Sequence, residues 1–170
     1  LALRPGALVT SAIEHAAVLH SARAVHAAGR EVRYLQPDET GAVTTAALHD
    51  ALEHGRGAAG TALVALMYVN NETGVLTDVA AVAAAAHAAG ALYLCDAVQA
   101  AGVEDIRMDA TGADLLTLSG HKINGPKGVG VLVRREGVEV EPQSAGGAQE
   151  AGVRPGTHAV SAIVGMGAAL

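Results

Sequence analysis

Apolar residues in this chain follow two different rhythms. Continuous apolar runs of strand length occur at 61–69 (TALVALMYV), 91–95 (ALYLC), 113–118 (ADLLTL) and 128–134 (GVGVLVR), with a shorter one at 31–35 (EVRYL). Runs of this kind belong to strands covered on both faces, as in a parallel sheet. Between them the apolar positions recur at helical spacing. Val18, Ala22 and Val25 share one face of a helix predicted to begin near Ser11, where Ser11-Ala-Ile-Glu14 has capping-box spacing, and to stop at Gly29. Leu48 and Leu52 lie one turn apart in a second helix over 44–53. A third covers 78–89 and closes with HAAG, as the first does, before leading into ALYLC. After residue 134 the sequence VEVEPQSAGGAQEAGVRPGT is loop-rich, and a last helix opens over 159–170.

Strands alternating with helices predict an α/β fold, a mainly parallel sheet with helices on both faces and right-handed crossovers. A length of 170 residues suits one domain. In such sheets ligands gather beyond the carboxyl ends of the strands. Three polar clusters fall at such ends: Asn70-Asn71 after 61–69, Asp96 after 91–95, and Ser119-Gly120-His121-Lys122 after 113–118.

Composition narrows the picture. Hydrophobic residues make up 51% of the chain, yet Phe and Trp are absent and only three Tyr occur, so Ala, Val and Leu must fill a closely packed interior. A net charge of −6 with no Lys/Arg cluster argues against a polyanion-binding surface for nucleic acid. The single Cys95 excludes an intramolecular disulfide and points to a reducing, cytoplasmic setting. The apolar stretch 79–95 is rich in Ala, interrupted by His87 and bracketed by Asp78 and Asp96. It reads as a helix and a strand joined at Gly90, since a membrane span needs roughly 20 predominantly apolar residues. The start, LALRPGALVTS, has neither the apolar run of a secretory signal nor an initiator Met, and reads as lying inside a longer chain. His20, His26, His49, His54, His87 and His158 form no zinc-type spacing and are expected to be solvated or satisfied in the core.

The chemistry concentrates in SGHKINGPKG, residues 119–128. A lysine at the mouth of a buried strand is open to desolvation, which lowers its pKa and exposes a nucleophilic amine suited to Schiff-base formation. A carboxylate on a neighbouring strand end is what a pyridoxal phosphate site requires, because it keeps the pyridine nitrogen protonated. Asp96 holds that position, while Ser119, His121 and nearby glycine amides are donors suited to a phosphate. A Walker A reading of GHKINGPK fails, because Pro126 follows Gly125 where the pattern needs Lys, and no Ser or Thr follows Lys127.

Three motifs in sequence, VNNETG at 69–74, CDAVQAAG at 95–102 and SGHKINGPKGVGVL at 119–132, resemble the cysteine desulfurases of the NifS/IscS type, within the class V aminotransferase group of pyridoxal phosphate enzymes. The resemblance implies that Lys122 is the Schiff-base lysine, that Asp96 pairs with the pyridine nitrogen, and that Gln99 hydrogen-bonds the ring hydroxyl. Asn71 would contact that edge and help orient the substrate carboxylate, and His15 would stack on the ring and transfer protons. Ser119 and His121 would bind the phosphate, and Thr157 would reach the phosphate of a partner subunit. It implies a homodimer that desulfurates L-cysteine to alanine and passes the sulfur, held as an enzyme persulfide, to acceptor or iron–sulfur scaffold proteins. Residues 1–170 would form the central part of the large domain, with the family's phosphate loop before Leu1. Its nucleophilic cysteine loop, substrate-gripping arginine and small domain would follow Leu170. Cys95 is then a small buried residue, not the sulfur acceptor. Two departures stand out: GGAQEAGVRPGT replaces the family's GGGxERGxRSGT, and Asn124 stands where an aromatic residue or histidine is usual. Another class V reaction, or a non-catalytic dimerising module, would share the same fold.

Overall fold

The computed structural model describes residues 4–54 and 60–170. Six strands form one sheet: β1 (Ala7–Ser11), β2 (Val32–Leu35), β3 (Thr61–Met67), β4 (Leu92–Asp96), β5 (Leu115–Ser119) and β6 (Gly130–Arg134). Their spatial order is β2-β1-β3-β4-β5-β6, with β6 alone antiparallel at the edge. Helices α1 (Ala16–Ala27), α2 (Thr45–His54) and α3 (Val79–Ala88) provide the crossovers. Short α4 (Met108–Thr111) lies between β4 and β5, and α5 (Val160–Ala169) closes the chain.

The chain steps outward from β1 to β2, then reverses across β1 to β3 and continues to β4. Right-handed crossovers place helices on opposite faces when the direction of travel reverses. One face carries the main core, in which Leu48 and Leu52 of α2 and Val79, Val82 and Ala86 of α3 pack on Val9, Val64, Leu66, Tyr93 and Leu116. On the other face α1 packs Ala22, with Val18 and Val25, on Leu8, Leu63 and Ala65. The gap between β1 and β3, where the direction reverses, is the switch point at which ligands of open α/β sheets bind.

Alanine fills much of the core, as the composition suggested. Tyr93 is completely buried, and its hydroxyl donates to the Leu66 carbonyl at 3.2 Å. His87, the polar interruption in 79–95, is satisfied by Asp114: the ring Nε2 lies 2.8 Å from a buried carboxylate that also accepts the Tyr93 N–H. Asp78 caps α3 by accepting from Ala81 N–H at 3.0 Å. No helix among the described residues is long and apolar enough to cross a membrane.

One expectation needs correction. Residues 7–11 form a fully buried strand, and Ser11 ends it instead of opening a helix. The cap of α1 falls on His15, whose Nδ1 accepts the Ala17 N–H at 3.2 Å. The polar ending hid this strand, because Thr10 is buried with a partner that only the folded chain supplies, and Ser11 pairs with Glu14 inside the core instead of capping a helix. Thr10 Oγ1 donates to the Ala65 carbonyl and Ser11 Oγ to Glu14.

Gly112 ends α4 with φ +67°, and a Cβ there would stand 2.7 Å from the Ala83 Cβ of α3. Gly112→Ala combines backbone strain with overpacking, so denaturant unfolding should show a loss of about 2–4 kcal/mol. A loss below about 0.5 kcal/mol would mean that α3 and α4 are not packed this tightly.

Candidate cofactor cleft at the strand ends

The ends of β3, β4 and β5 stand in register. Met67 pairs with Asp96, and Asp96 with Thr117. The Asp96 side chain is half-buried, and its Oδ1 accepts from the Val98 N–H at 3.1 Å and from Thr117 Oγ1 at 3.2 Å. Oδ2 has no hydrogen bond among the described residues. The aspartate thus forms the local turn and also offers one oriented oxygen to a ligand.

After β5 the chain turns tightly through a 3₁₀ turn, Gly120–Lys122. Gly120 is buried with no room for a side chain: a Cβ would meet the Pro126 carbonyl at 2.8 Å and Val129 at 2.9 Å. Its carbonyl accepts the Ile123 and Gly125 N–H groups, which folds 120–125 into a knot that projects His121 and Lys122. Asn124 adopts φ +62° in this knot, a conformation Asn tolerates far better than an aromatic residue does. Ser119 Oγ and His121 Nδ1 lie 2.8 Å apart.

In VNNETG the two asparagines divide the work. Asn70 is buried and structural: its Nδ2 donates to the Ile13 carbonyl at 2.8 Å, and its Oδ1 accepts the Glu72 and Thr73 N–H groups. Asn71 is left to the ligand side, with Nδ2 donating to Glu72 Oε1 at 2.8 Å.

These elements surround a cleft of about 820 Å³ between α1 and the ends of the strands, within the size range of small-molecule sites. His15 lines it from beyond β1, Asn71 from β3, Asp96 and Gln99 from β4, and Ser119, His121 and Lys122 from β5. Leu63, Ala65, Leu94 and the α1 side chains Val18 and Val25 form its apolar wall. Thr157 does not line the cleft and stands exposed ahead of α5. Lys122 is also exposed, so the described residues do not give its amine the enclosure that the buried strand suggested.

The residues fit pyridoxal phosphate. A free, oriented carboxylate oxygen suits a protonated ring nitrogen, an amine faces the same cleft, and a Ser–His pair on a tight glycine turn offers phosphate donors.

One important residue escaped the sequence reading. Glu14 is no cap: it is 5% exposed, and its Oε1 accepts from Ser11 Oγ at 2.7 Å and from Met67 N–H at 3.2 Å. Burial, and to a lesser degree the Asp96 charge, push its carboxyl from the ordinary 4.5 up to about 7. The strand texture of ALVTS was the signal that could have reassigned it.

Comparison with solved structures places the fold first. The chain superimposes on a protein described as SspA in complex with cysteine with a TM-score of 0.89 at 35% identity, covering 97% of this chain and 47% of that one. In sequence it is 44% identical to a cysteine desulfurase of Enterobacter agglomerans and 43% identical to the cysteine desulfurase IscS of Pseudomonas aeruginosa, over 95% of this chain. It spans 39% of the length of these two relatives. The profile of the aminotransferase class-V family matches residues 3–170, and the chain belongs to that family. The family depends on pyridoxal 5′-phosphate.

Glu14 gives a pH dependence of known sign. Its folded pKa exceeds the unfolded one, so its contribution to stability is complete below about 4.5 and is lost as pH rises through about 7. Glu14→Gln should remove that component, on the order of 3 kcal/mol across the window. Parallel stability–pH curves for Gln and Glu would refute the burial of this carboxyl.

Proposed function

We propose that this chain is the cofactor-binding core of a cysteine desulfurase, an enzyme that converts L-cysteine to L-alanine and transfers the sulfur to a protein cysteine as a persulfide. The observation that carries the reading is the gathering of His15, Asn71, Asp96, Gln99, Ser119, His121 and Lys122 around one cleft from four strand ends. The similarity to cysteine desulfurases, and to a protein solved with cysteine, favours this substrate over other amino acids.

Bound pyridoxal phosphate supplies an aldehyde that condenses with amines and a protonated ring that withdraws electrons from the substrate carbon. Lys122 holds the aldehyde end. Asp96 keeps the ring nitrogen protonated through Oδ2, with Oδ1 pinned by Val98 N–H and Thr117. Gln99 and Asn71 orient the ring hydroxyl and the substrate carboxylate, and Ser119 and His121 anchor the phosphate. The Nδ1 of His15 is engaged with Ala17 N–H, which leaves the ring face for stacking and Nε2 for proton transfer over the cleft.

Cys95 is not the sulfur acceptor. It is fully buried on the face away from the cleft, and burial pushes its thiol up to about 12, so almost no thiolate forms near neutral pH. The accepting cysteine and the carboxylate-binding arginine belong to chain outside 1–170, as do the remaining phosphate loop and the small domain. Thr157, exposed ahead of α5, reaches the phosphate in the second subunit of a homodimer. Iron–sulfur scaffold or other sulfur-acceptor proteins in the cytoplasm are the partners this reading implies, in keeping with the IscS relatives.

Borohydride reduction of the full-length, cofactor-loaded protein should fix the pyridoxyl label on the peptide bearing Lys122, and label spread over surface lysines would count against the site. Asp96→Ala should lower turnover by roughly 10²–10³-fold, the loss typical of a group that stabilises developing charge. Cys95→Ala should leave desulfuration within about twofold; complete loss would show that the nucleophile has been misassigned.

A further inference from the structure

The loop carrying His15 and the loop carrying Asn71 meet around Glu14. Asn70 Nδ2 donates across to the Ile13 carbonyl, and Met67 N–H donates to Glu14 Oε1, so β3 and its following loop hold the 12–15 segment at two points. The other carboxyl oxygen, Glu14 Oε2, is buried with no hydrogen-bond partner among the described residues. Glu14 lines a chamber of about 10 Å³ together with Ser11, Asn70 and Thr77. That volume holds one water, and the site has the polar partners a buried water needs. Among the described residues the groups that interact with Glu14 electrostatically are Asp96, Cys95 and Tyr93, all on β4, and none of them is a cation.

We propose that Glu14, with one water in the chamber beside it, is a positioning residue that locks the His15 loop to the Asn71 loop and so sets the spacing of the two across the cleft. The carboxyl serves best with its own proton in place. A protonated Oε2 donates to the water, which passes the link on to the Asn70–Thr77 side, while Oε1 continues to accept from Ser11 and Met67. Deprotonation puts a buried charge near Asp96 with no cationic partner among the described residues, which strains the lock. Its importance for ligand binding rests on the reading of the cleft as a pyridoxal phosphate site; the lock itself is a property of the chain alone.

Hydrogen exchange on cofactor-free full-length protein tests it, with intrinsic rates corrected, at pH 6 and pH 8.5. In Glu14→Ala the Met67 amide and the amides of 12–15 and 70–74 should all exchange at least about tenfold faster, together. Glu14→Gln keeps a neutral donor and acceptor, so it should match wild type at pH 6 and exceed its protection at pH 8.5. Faster exchange of 12–15 in Glu14→Ala with 70–74 unchanged would reduce Glu14 to a local structural role and overturn the lock. So would a Gln variant that loses protection at both pH values. Dissociation constants for pyridoxal phosphate on the same variants form a separate arm. Failure of the wild type to bind would sink the cofactor reading and leave the exchange result to decide the lock.

Discussion

The in-register row Met67–Asp96–Thr117 is the constraint on which the site depends. Parallel pairing brings three strand ends level, so that the Thr117 hydroxyl and the Val98 amide can both fix one oxygen of Asp96 and leave the other to a ligand. A slip of one residue in β4 would send Asp96 to the opposite face, into the core with Tyr93 and Cys95. The core beneath is built of Ala, Leu and Val with Tyr93 as its one buried aromatic among the described residues.

The reversal of strand order at β1 does the second part of the work. It moves α1 to the face opposite α2 and α3, and leaves the ends of β1 and β3 flanking a gap that no crossover fills. His15 and Asn71 stand on the two sides of that gap, and Glu14 lies in its floor. A buried acid there is costly, and the fold tolerates it because Ser11 and the Met67 amide already satisfy one oxygen.

Much of this was legible in the sequence, for local reasons. Continuous apolar runs marked β3, β4 and β5, and the polar clusters directly after them marked the cleft, because in a parallel sheet the end of a strand is both a chain position and a place in space. What stayed hidden was decided by long-range contacts. Ser11-Ala-Ile-Glu14 has the same spacing as a helix cap, and it is the approach of Met67, 53 residues on, that receives the inward-turned Glu14. The burial of Thr10 depends on the Ala65 carbonyl, a partner 55 residues along the chain that no local pattern displays. The antiparallel direction of β6 was readable in principle, since the knot between β5 and β6 is too short for a crossover helix. The exposure of Lys122 was not, because strand burial says nothing about what lies over the strand's end.

The claim at the centre is that Asp96 keeps the cofactor's ring nitrogen protonated. Nitrogen-15 NMR of full-length protein loaded with pyridoxal phosphate labelled at that nitrogen reads it directly. A pyridinium shift held up to about pH 8 in the wild type, and moved to the neutral-pyridine position in Asp96→Asn, is the predicted result. A ring nitrogen already unprotonated in the wild type, or one whose shift ignores the substitution, would contradict the account.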